Sequence, residues 1–265
     1  TGDTIFMPVV EGLRRHFLAE GIDLFVGFDN PDTADITSLY RAMERSLFEG
    51  VVIADILEDD PRLTYLQERG VPFVAFGRSE TKGNYPWIDL GFEAATTEAV
   101  KRLHAQGHTR IALGSTAKGI NFGRVVERAF REAKTDEGLV VADELVFNLG
   151  MSEHDGYLLG DRWFGSINRP TALILANELM AVGLYRRLAE GGAIPGRDIA
   201  LITLIEQQSM RFLEPRPTHF ATDLLGLGDR LGFALQSAMR ADPPVQELWP
   251  MRLHVGKSDG PAASP

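Results

Sequence analysis

Cysteine is absent from the 265 residues, which excludes disulfides, thiolate-bound zinc, iron–sulfur ligation and cysteine nucleophiles. That usage fits a reducing compartment. Long hydrophobic runs are missing too, because the longest apolar stretches, 171–176 and 199–205, fall far below the roughly 18 residues needed to span a bilayer. No membrane helix and no membrane partner is expected. Positive charge is in deficit, with 27 Lys and Arg against 37 Asp and Glu for a net charge of −10, and such a balance repels polyanions. These residues are not expected to grip nucleic acid by themselves. The opening Thr1-Gly2-Asp3-Thr4 lacks a basic region followed by an apolar one, so no secretory signal is read there.

What is present is an apolar fraction of 44% in a length that corresponds to one large domain or two modest ones, at about 100 to 200 residues each. Disorder is excluded for the chain as a whole. Val9, Leu13 and Phe17 recur at helical spacing, with Pro8 near the start and Gly21 as a stop. A β-type run follows at 23–27, then Leu39, Met43 and Leu47 at helical spacing, then a strand at 50–54. The rhythm continues with Leu63 and Leu66 on a helix closed by Gly70, a strand at 71–76, a helix carrying Ala95, Ala99 and Leu103, and a strand at 110–113. Later strands are expected at 145–147, 172–176, 199–205 and 251–255, with helices at about 124–134, 155–165, 178–190 and 223–240.

Strands that are apolar on both faces and separated by helices require a parallel sheet covered on both sides. The expected fold class is α/β, doubly wound, and two Rossmann-like lobes hold this many elements better than one sheet. The polar loop 78–87 is expected to carry the first passage between lobes. Residues beyond Gly256 have the composition of a frayed terminus. The chain opens in a loop before a helix, so the strand that should begin the first lobe is either upstream of Thr1, the favoured expectation, or formed by residues 4–10.

Several motifs are set aside on chemical grounds. The run Gly226-Leu227-Gly228-Asp229-Arg230-Leu231-Gly232 approaches a dinucleotide fingerprint, but its last glycine is one place late and its leucines have helical period, so helix packing is expected. Segment 114–119 begins like a phosphate loop, yet Ile120 and Asn121 stand where Lys and Ser or Thr are required. Ser152-Glu153-His154-Asp155 is read as a capping turn rather than a metal site. Neither His-Glu-x-x-His nor Gly-x-Ser-x-Gly occurs. Asp55, Asp89 and Glu206 could meet in space, but nothing positions them as the acid and base of a glycosidase. No cofactor, metal or catalysed reaction is expected.

Five further segments stand out in order. Val71-Pro72-Phe73-Val74-Ala75-Phe76-Gly77-Arg78 is a strand ending in Gly-Arg, and 99–112 reads as helix, Gly107-His108, strand. Arg169-Pro170-Thr171-Ala172 leads to Asn177-Glu178 and Met180-Ala181-Val182-Gly183, followed by Pro195-Gly196-Arg197-Asp198-Ile199. Pro215-Arg216-Pro217-Thr218-His219-Phe220 and Leu253-His254-Val255-Gly256-Lys257-Ser258 complete the series. Together, from about Pro8 to Ser258, they resemble the effector-binding core of the lactose-repressor/galactose-repressor (LacI/GalR) family of bacterial transcription regulators.

The resemblance implies a type I periplasmic-binding-protein-like core: an N-terminal lobe of 1–90 plus 222–242, a C-terminal lobe of 91–221 plus 243–265, and a small sugar-like effector bound between them. It also implies a cytoplasmic homodimer whose operator DNA is held by a helix-turn-helix domain upstream of residue 1, not by these residues. A periplasmic sugar-binding protein of a transport system is the alternative with the same architecture. Carried over by position, Arg124 forks onto ligand oxygens, Asn177 meets a hydroxyl, and Met151 packs where relatives place an aromatic. Ala54, Asp55, Phe76 and Arg78 line the opposite wall, and Thr222 completes the set. The family's Gly-Phe-Asp-Asp reads Thr203-Leu204-Ile205-Glu206 here, so Glu206 is the acidic candidate. Its first-crossing Asp-Asn reads Gly91-Phe92, which implies a more apolar site.

Overall fold

Val9, Leu13 and Phe17 form the buried stripe of helix α1 (Phe6–Ala19), as their spacing requires. The chain continues through α2 (Thr37–Glu44), β1 (Val51–Ile53), α3 (Pro61–Glu68), β2 (Phe73–Phe76) and β3 (Trp87–Leu90). Then come α4 (Phe92–Ala105), β4 (Ile111–Thr116), α5 (Asn121–Asp136), β5 (Val146–Leu149), α6 (Glu153–Gly165), β6 (Ala172–Leu175), α7 (Glu178–Glu190) and β7 (Ala200–Thr203). The last elements are β8 (Thr218–Ala221), α8 (Leu224–Met239), β9 (Gln246–Trp249) and β10 (Arg252–His254). This computed structural model describes residues 5–27, 36–45, 47–116, 119–206 and 208–262. They fall into two units, the first comprising Thr1–Leu90, Gly119–Phe122 and Asp223–Trp249, the second Gly91–Lys118, Gly123–Thr222 and Pro250–Pro265.

The first unit holds a parallel sheet in the order β1-β2-β3-β9. Leu63 and Leu66 of α3 pack with Ile53, Phe73 and Tyr85, while α8 covers β1 and β2. Full burial of each such leucine contributes about 1.5–3 kcal/mol. Helix α1 lies on α8 through the glycine run that resembled a dinucleotide motif: a Cβ on Gly12 would stand 2.2 Å from the Leu225 carbonyl oxygen. The run is a helix-packing surface, because only hydrogen lets the two backbones approach this closely.

The second unit holds a six-stranded sheet in the order β10-β8-β7-β6-β4-β5, parallel except for β10, which pairs antiparallel with β8. Leu173, Leu175 and Leu201 meet Leu159 and Trp163 of α6 and Leu184 and Leu188 of α7. The Gly107-His108 pair is architectural. His108 Nε2 donates to the Gly260 carbonyl at 3.0 Å, and its Nδ1 lies within hydrogen-bonding distance, 2.9 Å, of the Thr171 hydroxyl.

Several expectations are corrected. Residues 22–27 are neither helix nor strand and Phe25 is 82% exposed, because a strand needs a hydrogen-bonded neighbour and no described strand lies beyond β1. Loop 78–87 does not pass between units: Trp87–Leu90 adds β3 to the first sheet, and the passage falls at Leu90 and Gly91. Residues 243–249, expected in the C-terminal lobe, belong to the first unit because β9 pairs with β3, and Thr222, expected in the N-terminal lobe, belongs to the second. The tail is not frayed at Ser258 and Asp259, which are buried. Ser258 Oγ donates to the Leu201 carbonyl and accepts from the Thr218 amide, while Asp259 accepts from Arg102 Nε and the Thr218 hydroxyl.

Candidate functional site

Parallel strands present their carboxyl ends on one side of a sheet, where side chains and helix N-termini are free to meet a ligand. In the second unit four expected residues fall there on neighbouring strands. Arg124 is exposed in the first turn of α5, after β4; Met151 follows β5 and is half-buried; Asn177 follows β6; Glu206 follows β7. Ile205 is buried, while Glu206 beside it is half-buried.

Local sequence explains how these residues are held. Asn177 is extended and its Oδ1 accepts from the Leu179 amide at 2.8 Å, the N-cap expected of an asparagine before a helix. Only its acceptor is used by the cap, so its two Nδ2 protons are the donors it can offer. Met151 precedes a capping box in which Ser152 Oγ accepts from the Asp155 amide and Asp155 accepts from Ser152. Burial works against the Asp155 charge, but the hydrogen bonds from Ser152 and Gly150 prevail and hold its carboxyl below the ordinary range. The polar cluster 152–155 is thus a cap. Thr222 sits at the end of β8 with its hydroxyl donating to the Pro250 carbonyl at 2.7 Å, so its proton is committed to the fold.

In the first unit, Ala54 and Asp55 follow β1, and Phe76 and Arg78 follow the adjacent β2. Asp55 is exposed in the left-handed region (φ 50°), a conformation that costs about 1 kcal/mol or more for a residue with a side chain. Arg62 holds it there, donating from Nη2 to the carbonyls of Ala54 and Asp55. Arg62 is in turn gripped by the buried Asp60, which also caps α3. Phe76 is half-buried beside Gly77. Arg78 does not project as an uncommitted donor: its Nε donates to Asp89 at 2.8 Å, its guanidinium lies 5.6 Å over the Trp87 ring, and its carbonyl accepts from Asn121. Asp55 and Asp89 thus have separate tasks within the first unit. Among the described residues no three His, Asp or Glu side chains converge as a metal site.

Sequence reasoning missed three features. The Asp60-Arg62 tie had a signal, since Asp followed by Pro61 is a helix start. Lys134 is fully buried on α5, donating from Nζ to the Ile111 carbonyl at 3.1 Å above the Phe130 ring. Desolvation, with the positive charge of Arg110 adding to it, pushes the Lys134 amine down to about 8. Its place four residues after Phe130 and eight after Val126, both buried, was a readable sign. His219, the third, had none.

The model of the periplasmic binding protein-like domain matches residues 100–258. The HTH-type transcriptional regulator AglR of Rhizobium meliloti (strain 1021) is 30% identical over 268 residues, an alignment covering 98% of this chain and 74% of AglR. Among solved structures, a putative transcriptional regulator from Yersinia pestis biovar Microtus str. 91001 superposes with a TM-score of 0.89 at 25% identity, covering 98% of this chain and 94% of that one. The transcriptional regulator CelR in complex with cellobiose has a TM-score of 0.86 at 21% identity, covering 96% and 79%. Two parallel-sheet units of this kind define a periplasmic-binding-protein-like α/β protein. Within that class, the chain belongs to the LacI family of transcriptional regulators.

Proposed function

We propose that this chain is the effector-sensing core of a LacI-type regulator, binding a saccharide-like molecule and thereby altering the operator affinity of a separate helix-turn-helix segment. The observation that carries the reading is the placement of Arg124, Met151, Asn177 and Glu206 at the carboxyl ends of neighbouring strands. A forked donor, an apolar thioether, an amide and a carboxylate together match the alternating hydroxyl and C–H surfaces of a sugar. CelR was solved with cellobiose, which agrees with this chemistry. Ala54, Asp55 and Phe76, expected to meet an effector, lie at the carboxyl ends of β1 and β2 within the first unit. The protein works as a cytoplasmic homodimer and catalyses no reaction; effector and operator affinities are linked reciprocally through its conformational equilibrium. A transport protein shares the architecture, but AglR is a regulator and matches along nearly the whole chain.

The test is a thermal-shift panel of cellobiose, ribose, sucrose, maltose and lactose. A true effector at about 100 times its Kd stabilises the protein by about 2.7 kcal/mol. Arg124→Ala should weaken binding about tenfold or more, the loss expected for charge-assisted hydrogen bonds. A panel without any shift, or a shift unchanged by Arg124→Ala, overturns the assignment.

A further inference from the structure

Beside Glu206 lies a buried polar group that the site described so far leaves unused. His219 of β8 is the register partner of Thr203 on β7 and of His254 on β10, so these side chains share one sheet face. Leu201 lies on that face against α7. His219 is only 3% exposed. Its Nδ1 stands 3.0 Å from the Pro217 carbonyl, which can only accept, so Nδ1 carries a proton. Its Nε2 is buried without a hydrogen-bond partner and stands 3.6 Å from Glu206 Oε1.

A neutral ring with its proton on Nδ1 sets a bare nitrogen lone pair against a carboxylate oxygen, acceptor against acceptor. A second proton converts the same contact into a charge-assisted bond from Nε2 to Oε1. The other groups around the ring allow one charge and not two. His254 stacks on His219 with centroids 5.4 Å apart, and protonating both rings would set like charges together. On α7 the titratable groups are Glu178, buried in the first turn, Tyr185, kept neutral by burial and donating to the Pro215 carbonyl, and Arg186, Arg187 and Glu190, of which Arg186 pairs with Glu190 and Arg187 with Asp161. On β10 the exposed Arg252, two residues before His254, shares its face. Arg211, in the short helical turn Gln208–Phe212, is exposed. Thr203 Oγ1, also buried without a partner, adds no charge.

We propose that His219 is a positioning residue for Glu206: when protonated it fixes the carboxylate at the end of β7, leaving the second oxygen to accept from an effector hydroxyl, so that effector affinity rises as pH falls. The proposal rests on the reading of Glu206 as an effector contact.

Two measurements test it. The first needs no effector: NMR titration of the His219 ring in the wild-type chain and in Glu206→Gln. Loss of the carboxylate 3.6 Å from Nε2 should change the pH response of the ring's resonances; an unchanged response overturns the pairing. The second is calorimetry with cellobiose, or with whichever sugar of the panel gives a thermal shift. Wild type should bind about tenfold more tightly at about pH 5.5 than at about pH 8. His219→Gln, whose amide can donate to Glu206 at either pH, should retain the tight binding and lose the slope. His219→Asn is too short to reach Glu206 and should bind weakly at both pH values, while His254→Gln should keep the slope. A flat wild-type profile, or a slope that persists in His219→Gln, overturns the positioning role. If no sugar binds at either pH, the effector reading of Glu206 fails, and the NMR measurement still decides the pairing.

Discussion

Gly228 of α8 meets Val9 of α1 so closely that a Cβ on Gly228 would lie 2.1 Å from the Val9 carbonyl oxygen. Backbone on both sides cannot yield, so the added methyl must part the helices and loosen the layer that holds Leu13, Phe17, Leu227 and Leu231. Gly228→Ala should therefore destabilise the protein by about 1–3 kcal/mol, even though alanine is the better helix former by about 1 kcal/mol. Gly165→Ala, with nothing within 4 Å of the new atom, should stay within about 0.5 kcal/mol of wild type. Urea denaturation of the two variants measures the difference; equal midpoints would refute the close-packing account.

Lys134 gives stability a pH dependence of known sign. Its amine is pushed down to about 8 in the folded protein, against about 10.4 for an unfolded lysine, so between these values the unfolded state holds more protons. Stability of wild type relative to Lys134→Met should rise with pH through that window. Below it the full cost of burying the charge applies, and Lys134→Met should be more stable by an amount on the order of 2 kcal/mol. Denaturation curves at about pH 7 and about pH 10 decide the matter; a constant difference between the proteins contradicts it.

Asn177 combines a helix cap with a proposed ligand donor, and two substitutions separate the roles. Asn177→Asp keeps a side-chain oxygen for the Leu179 amide and removes the donors, so stability should hold while sugar affinity falls about tenfold. Asn177→Ala should lose the cap as well, costing about 1 kcal/mol. Thermal unfolding with and without the sugar distinguishes them. Unchanged affinity in Asn177→Asp would leave the residue as a cap alone.

Signals that are local in sequence were legible. Four-residue spacing gave α1, apolar runs gave β4, β6 and β7, and an asparagine between strand and helix gave the α7 cap. What depended on a distant partner was not. Residues 22–27 have strand composition but no described strand beside them, whereas β9, with only Leu248 and Trp249 as apolar members, is a strand because β3 supplies its hydrogen bonds. Ser258 and Asp259 read as tail until Thr218, Leu201 and Arg102 close over them. The site divides in the same way. Arg124, Met151, Asn177 and Glu206 come from the order of motifs, while His219 acquires meaning only when β8 is laid beside β7.

Neither unit is encoded by a continuous stretch of chain: the first waits for β9, and the second for Ser258 and Asp259 to lock β7 to β8. During synthesis, therefore, neither sheet can be finished while residues 246–259 are still inside the ribosome. The usual order, in which an N-terminal domain folds before the next is made, is closed to this topology. Premature termination anywhere before Gln246 should leave two open sheet edges rather than one intact half, a species for chaperones and proteases to clear.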